Sequence, residues 1–397
     1  MDGAIPDRRM TLFLMATSAY AQISTGIYLP SLPAIAQEFA TTQGAVQLTI
    51  AIFFFGYGAS LMVYGPLSDR FGRRTMLLIG TVVYILASLA CALATSIEFL
   101  FVARLVQSFG ACSGFVSSRA IVRDIYGPGE MARALGMIMV VTSLSVGMGP
   151  VIGGQLHTWL GWRASFGFLV VYGLALLPLI WSWLPETAPR RARDAVKPAS
   201  AIHDYGVLMR SRVFLGYTLA LSFGMATLFV FHAGIPVILI SLSGVTPAMF
   251  GVYFIMVQVG VMSGSFLTNR LARRVATDRL LAVGLMLVVA GAAGLVGIGA
   301  VDRLTVTSFL ATSLVLAVGW GFVSPTGPAG AIGPFPEIAA TATALNGFIL
   351  ITTAGLATMV LSALPKDGLL PMALLQLALG AVAAASLLLL RNRRIGA

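Results

Sequence analysis

Gly65-Pro66-Leu67-Ser68-Asp69-Arg70-Phe71-Gly72-Arg73-Arg74 sets a carboxylate, three arginines and a pair of glycines between two long apolar runs. Only 10% of the chain is Asp, Glu, Lys or Arg, so such a cluster marks a place where the chain meets water. A near-copy, Ser265-Phe266-Leu267-Thr268-Asn269-Arg270-Leu271-Ala272-Arg273-Arg274, lies in the second half. Its arginines keep their register, while Asn269 replaces Asp69 and Ala272 replaces Gly72. A repeat that spans half a chain implies two similar halves.

The composition decides the solvent. The chain is 58% apolar with a mean hydropathy of +0.93, too little polar surface for a dispersed soluble protein. It reads as an all-α integral membrane protein whose lipid bilayer is its first partner. The net charge of +11 invites a nucleic-acid reading. The basic residues instead form short clusters between apolar runs, which suits anionic headgroups and not a nucleic acid. Cys91 and Cys112 both lie in apolar runs, and the histidines are scattered, so neither a disulfide framework nor a metal site is expected.

Reading outward from the cluster, about twelve apolar runs of roughly 20 residues are each long enough to cross the hydrocarbon core as a helix. They fall near 11–35, 45–65, 75–95, 99–122, 133–156 and 164–184, then 213–241, 247–268, 278–300, 304–326, 338–362 and 370–390. Arg8-Arg9 followed by an apolar stretch and Ala19-Tyr20-Ala21 mimics a cleaved signal. The run continues to about Ile35, too long for a signal core, and is taken as the first span. Nearly all of the 25 Lys and Arg fall on alternate loops with both ends of the chain, which places both termini in the cytoplasm. Pro185–Arg212, rich in proline and basic residues, reads as a cytoplasmic linker. The division is then an N-terminal bundle over 1–184, a linker over 185–212 and a C-terminal bundle over 213–397.

Several constellations stand out. In the 65–74 loop, Asp69 and Arg73 are four apart and can pair, and a carboxylate near the start of the next helix is favoured by its dipole. Asp124 ends the fourth span on the same membrane face, so an Asp69–Arg73–Asp124 network is expected to lock that side of the membrane. Gly147-Met148-Gly149-Pro150-Val151-Ile152-Gly153-Gly154 lies within the fifth span, either as a flexible seam or as a site of tight packing. Arg104, in the fourth span with Gln107 on the same helical face, is expected to face a water-filled cavity. Gln22, Tyr28, Tyr57, His232, Tyr253, Gln258, Trp320 and Asn346 are further polar or aromatic groups inside spans. Phe53-Phe54-Phe55, Phe229 and Phe231 can line an apolar pocket. No carboxylate sits deep in a span. No nucleophile–base pair and no phosphate-cradling loop is legible, so neither an enzyme nor an ATP-driven pump is expected.

Gly65–Arg74 matches G-x-x-x-D-R-x-G-R-R, and by it the chain resembles the major facilitator superfamily. Arg104–Gly110 resembles that superfamily's fourth-helix motif, and Gly149-Pro150 with Gly153-Gly154 resembles its antiporter motif. Tyr28–Pro33, Arg119–Asp124 and Gly161-Trp162-Arg163 are similar to the bicyclomycin-resistance branch of drug:proton antiporters. The resemblance implies twelve transmembrane helices in two six-helix bundles, with a binding site near the midplane. It implies a gate built from Gly65, Asp69, Arg70, Gly72, Arg73, Arg74 and Asp124. It implies a pathway for substrate or protons along Gln22, Gly26, Tyr28, Phe54, Tyr57, Arg104, Gln107, His232 and Trp320. It also implies a monomer in a bacterial inner membrane that exports small amphiphilic compounds against proton entry, with no cofactor. That branch usually carries an aspartate two residues before the tyrosine of its first-helix motif, where this chain has Gly26. A facilitator or importer of a small metabolite, for which glycine there is no defect, is the alternative.

Overall fold

The computed structural model describes residues 8–187 and 198–391. Within them the regular structure is helical, and eleven helices are individually long and apolar enough to cross a membrane. They are α4 (Gln43–Phe71), α5 (Arg73–Ala92), α6 (Ile97–Ile125), α7 (Pro128–Leu160), α8 (Arg163–Trp183), α10 (Arg212–Pro236), α11 (Pro247–Leu271), α12 (Thr277–Ala300), α13 (Val306–Ile332), α14 (Ala339–Ala363) and α15 (Leu370–Ser386). A short α16 (Leu388–Arg391) follows the last of them. A π-helical turn, Val237–Leu242, extends α10.

The first crossing is built from pieces: α1 (Arg8–Ser18), α2 (Tyr20–Gly26), a 3-10 turn Leu29–Ser31 and α3 (Leu32–Glu38). Pro30 and Pro33 have no N–H to continue an α-helical ladder, which shortens the pieces. The residues that join them, Ala19, Ile27, Tyr28 and Ser31, keep right-handed helical dihedrals. Tyr20 holds the segment in place: its ring stacks on Tyr84 at 4.6 Å and its hydroxyl lies 3.2 Å from Thr81 Oγ1.

Sequence-local caps start several crossings. The side chains of Thr42, Ser96, Ser211, Thr246 and Thr305 each accept the backbone N–H three residues on, and Thr305 with Ser308 completes a capping box. Outward-facing Val63, Leu86, Val171, Phe266, Met286 and Leu356 stay exposed, as a bilayer-facing surface requires. The largest buried cluster draws Phe53 and Tyr57 from α4 together with Phe231 and Phe254 from α10 and α11. The core therefore bridges the two halves.

The stretch between the halves contains a helix. α9 (Pro198–Arg210) packs on α10 and α14, with Leu208 buried beside Phe214. Residues 188–197 of the expected linker lie outside the described residues.

Two expectations need correction here. Residues 65–74 do not form a loop: α4 runs on to Phe71, α5 begins at Arg73, and Gly72 alone separates them with φ +100°. Glycine takes that dihedral without the Cβ clash that other residues suffer. Asp69 consequently sits in the last turn of α4, where the helix dipole opposes a carboxylate, so the arginines must supply its compensation.

Candidate functional site

The turn at Gly72 is an ion network. Arg73 is buried and reaches partners on two other helices and on the segment that follows α8. It pairs with Asp69 on α4 and, at 3.1 Å, with Asp124 on α6, and it donates to Ser68 Oγ at 2.6 Å. Its backbone N–H donates to Glu186 Oε1 at 2.7 Å, so the carboxylate that follows α8 caps the first turn of α5. That carboxylate lies over Gly72, where a Cβ would overlap it. Arg74 ties α5 to α8 through the Trp181 carbonyl and the Trp181 ring, 5.2 Å away. Arg70 is exposed and lies over the neighbouring Phe71 ring. Gly65 is an interior residue of α4 with open space around it.

A second polar cluster lies deeper. Arg104 is fully buried, stacked 4.4 Å from the rings of both Tyr28 and Phe53 and 5.9 Å from Phe166. Its Nη1 donates to the Ser24 carbonyl at 3.2 Å and to Gln107 Oε1, while Nε and Nη2 have no partner. Gln107 is braced in turn by Ser88 Oγ at 2.7 Å. A cation at this depth is costly, and rings at these distances return on the order of 0.5–2 kcal/mol each. The expectation of an Arg104 that faces a water-filled cavity is corrected: Tyr28, Phe53 and Phe166 form an aromatic cage that closes it off.

The cavity lies between the halves and measures about 280 Å³. Its wall on one side carries Gln22, Thr25, Gly26, Phe53, Phe54 and Tyr57 with Thr142, Ser143 and Val146 of α7. The other side carries Met225, Leu228, Phe229 and His232 of α10, Phe254 and Gln258 of α11, and Ser324 of α13. Gln22 Oε1 and the Tyr57 hydroxyl are buried without a partner. Phe54 and Phe229 meet edge-on across the halves at 4.8 Å. No Asp, Glu, Lys or Arg is among the lining residues.

Of the pathway residues expected from sequence, Gln22, Gly26, Phe54, Tyr57 and His232 line this cavity. Tyr28, Arg104, Gln107 and Trp320 do not. Tyr28 bonds Thr49 and covers Arg104, and Trp320 is buried in the second half with its indole N–H on Thr227 Oγ1 at 2.7 Å. Thr25, Thr142, Ser143 and Ser324 were missed. Their one signal is a hydroxyl inside an apolar run, and that signal is shared by many residues, such as Ser60 and Thr326, that only bond their own helix.

Gly26 explains itself through α7. A Cβ there would sit 3.1 Å from Pro150 Cδ, and a Cβ at Gly149 would sit 3.2 Å from Gly26 Cα. A Cβ at Gly153 would fall onto the Ile27 carbonyl oxygen. The glycine-rich stretch is thus a backbone-to-backbone contact between the first crossing and an unbroken α7. A Cβ at position 26 would be tight against Pro150, which would have to give by a few tenths of an ångström to admit it. Gly154, next in the same stretch, instead packs across the halves on the Pro247 carbonyl. Gly44 packs on the Ser362 carbonyl, and Gln47 Nε2 donates to the Ala233 carbonyl at 3.0 Å. These contacts cluster at the end of the molecule opposite the Gly72 turn.

The Major Facilitator Superfamily profile matches residues 13–358. The chain belongs to that family. It is 30% identical over 381 residues to a chloramphenicol resistance protein of Pseudomonas aeruginosa, covering 94% of this chain and 88% of that protein. It is 28% identical to multidrug resistance protein D of Escherichia coli strain K12, covering 90% of each. Among solved structures, a peptide transporter in complex with alafosfalin superposes with a TM-score of 0.79 at 14% identity, over 100% of this chain and 96% of that one. A D-xylose-proton symporter superposes with a TM-score of 0.75 at 14% identity, over 95% of each. The fold is therefore the twelve-helix, two-bundle fold of this family, with the pieced first segment as the twelfth crossing. The protein is a membrane transporter and not an enzyme.

Proposed function

We propose that the protein exports small, uncharged amphiphilic compounds of the drug type by alternating access, against proton entry. The observation that carries this reading is the cavity between the halves, apolar and aromatic with hydroxyl and amide groups and no lining carboxylate or cation. Such a wall binds rings by contact and orients them with a few hydrogen bonds, and offers a cation no counter-charge. Relatives named for chloramphenicol and multidrug resistance support the drug class. The cross-half contacts at the end away from the Gly72 turn support a state closed on that side.

In this reading the bundles are 1–184 and 213–397, joined by 185–212, and both termini face the cytoplasm of a bacterial inner membrane. The transporting unit is a monomer. The Asp69–Arg73–Asp124 network, all within the first half, holds α4, α5 and α6 as one body while the halves rock. Gly65, Arg70, Gly72 and Arg74 belong to the same cytoplasmic gate. His232 supplies the imidazole on the cavity wall and is the group assigned to proton exchange. The lack of a lining carboxylate favours one rival, an uncoupled facilitator with the same cavity.

Equilibrium binding to the purified protein tests the substrate class. Chloramphenicol should bind, ethidium should compete poorly, and Gln22→Ala or Gln258→Ala should weaken chloramphenicol by about tenfold, as expected for one buried hydrogen bond. Preference for the cation, or binding indifferent to both glutamines, would overturn it.

A further inference from the structure

We infer that the turn between α11 and α12 is a docking site for the headgroup of an anionic phospholipid. Arg270 ends α11, Arg273 and Arg274 lie in the turn, and Arg279 opens α12. All four are exposed, and none has an ion pair, side-chain hydrogen bond or ring contact among the described residues. The position matching Asp69 is Asn269, so the turn lacks its own internal counter-ion. The neighbouring carboxylate, Asp278, is engaged by the buried Tyr217 hydroxyl, which holds it toward α10.

Exposed apolar side chains adjoin the arginines. Phe266 and Leu267 precede Arg270 by about one helical turn, and both stand out from the bundle surface. A patch that pairs guanidinium groups with a hydrocarbon-facing ring matches a phosphodiester above acyl chains, whereas a soluble anion would use the charges alone. Guanidinium forks suit phosphate oxygens. The match in charge and the position at the end of a crossing commit the site to a lipid of the adjacent leaflet.

Native mass spectrometry of the full-length protein, titrated with dioleoyl phosphatidylglycerol or dioleoyl phosphatidylcholine, tests this. Phosphatidylglycerol should bind with preference, and R270Q/R273Q/R274Q should lose that preference by roughly tenfold or more. R270K/R273K/R274K, which keeps the charge, should retain most of it. R210Q/R212Q, which removes exposed charges elsewhere, should leave it unchanged. Undiminished preference in the glutamine variant would overturn the inference. So would equal loss in R210Q/R212Q, or full displacement of the lipid by inorganic phosphate at matched concentration. The glutamine variant should keep the wild-type melting temperature, because the replaced side chains are exposed and unpaired.

Discussion

The two halves end α4 and α11 on the same run of arginines and use it in opposite ways. In the first half Gly72, at φ +100°, turns the chain sharply enough that Arg73 folds back under α4 and meets Asp69 and Asp124. In the second half Ala272 keeps right-handed dihedrals, a wider turn over 272–276 follows, and Arg273 and Arg274 point to solvent. The difference teaches that the arginines alone do not make the network. A single backbone dihedral and a partner carboxylate decide whether they are consumed inside the fold or left for an outside partner.

The largest effect should come from Arg73→Ala. It leaves Asp69 without its partner and the buried Asp124 side chain with only the exposed Arg123, 3.9 Å away, a loss on the order of 3 kcal/mol for a broken buried pair. Transport should fall at least tenfold, and the melting temperature in detergent should drop, whereas Arg273→Ala should change neither by more than about twofold in rate. Gly72→Ala should come next. It forces a side chain into the left-handed region and onto the Glu186 carboxylate, at a cost of about 1–3 kcal/mol read from thermal unfolding. Ala272→Gly, its counterpart, should cost within about 1 kcal/mol. The smallest effect should be that of Asn269→Asp. Restoring the carboxylate without the glycine turn should not bury Arg273, and the reactivity of Arg273 itself toward an arginine reagent such as phenylglyoxal should stay as it is.

Much of this was legible in the sequence. The arginine registers of 65–74 and 265–274 declared two halves, and the apolar runs located most crossings to within a few residues of the helix ends, stopping short of the ends of α4 and α13. The pairing of Asp69 with Arg73 was expected from a four-residue spacing within one helix, whereas the structure makes it across the Gly72 turn between α4 and α5. The one-residue turn was not legible, because a helix that continues through Pro66 looks the same in sequence as a loop that contains it. The cavity wall was half legible. Aromatic and amide residues inside spans pointed to Gln22, Phe54, Tyr57 and His232, but burial of a polar group does not say which side of a helix is wet. Arg104 shows the limit: its charge argued for a cavity, while Tyr28, Phe53 and Phe166 supply a dry alternative that depends on three separate helices meeting. Gly26 shows the same limit from the other side, since its reason lies in Pro150 and Gly149 on α7.

Coupled export through the cavity is tested most directly in inside-out vesicles that hold an imposed pH gradient, with a fluorescent pH probe and added chloramphenicol. Drug should dissipate the gradient in vesicles with the wild-type protein, and should fail to do so with Arg73→Ala or His232→Gln. Labelled chloramphenicol that crosses the membrane while the gradient stays intact would contradict coupling and leave a facilitator.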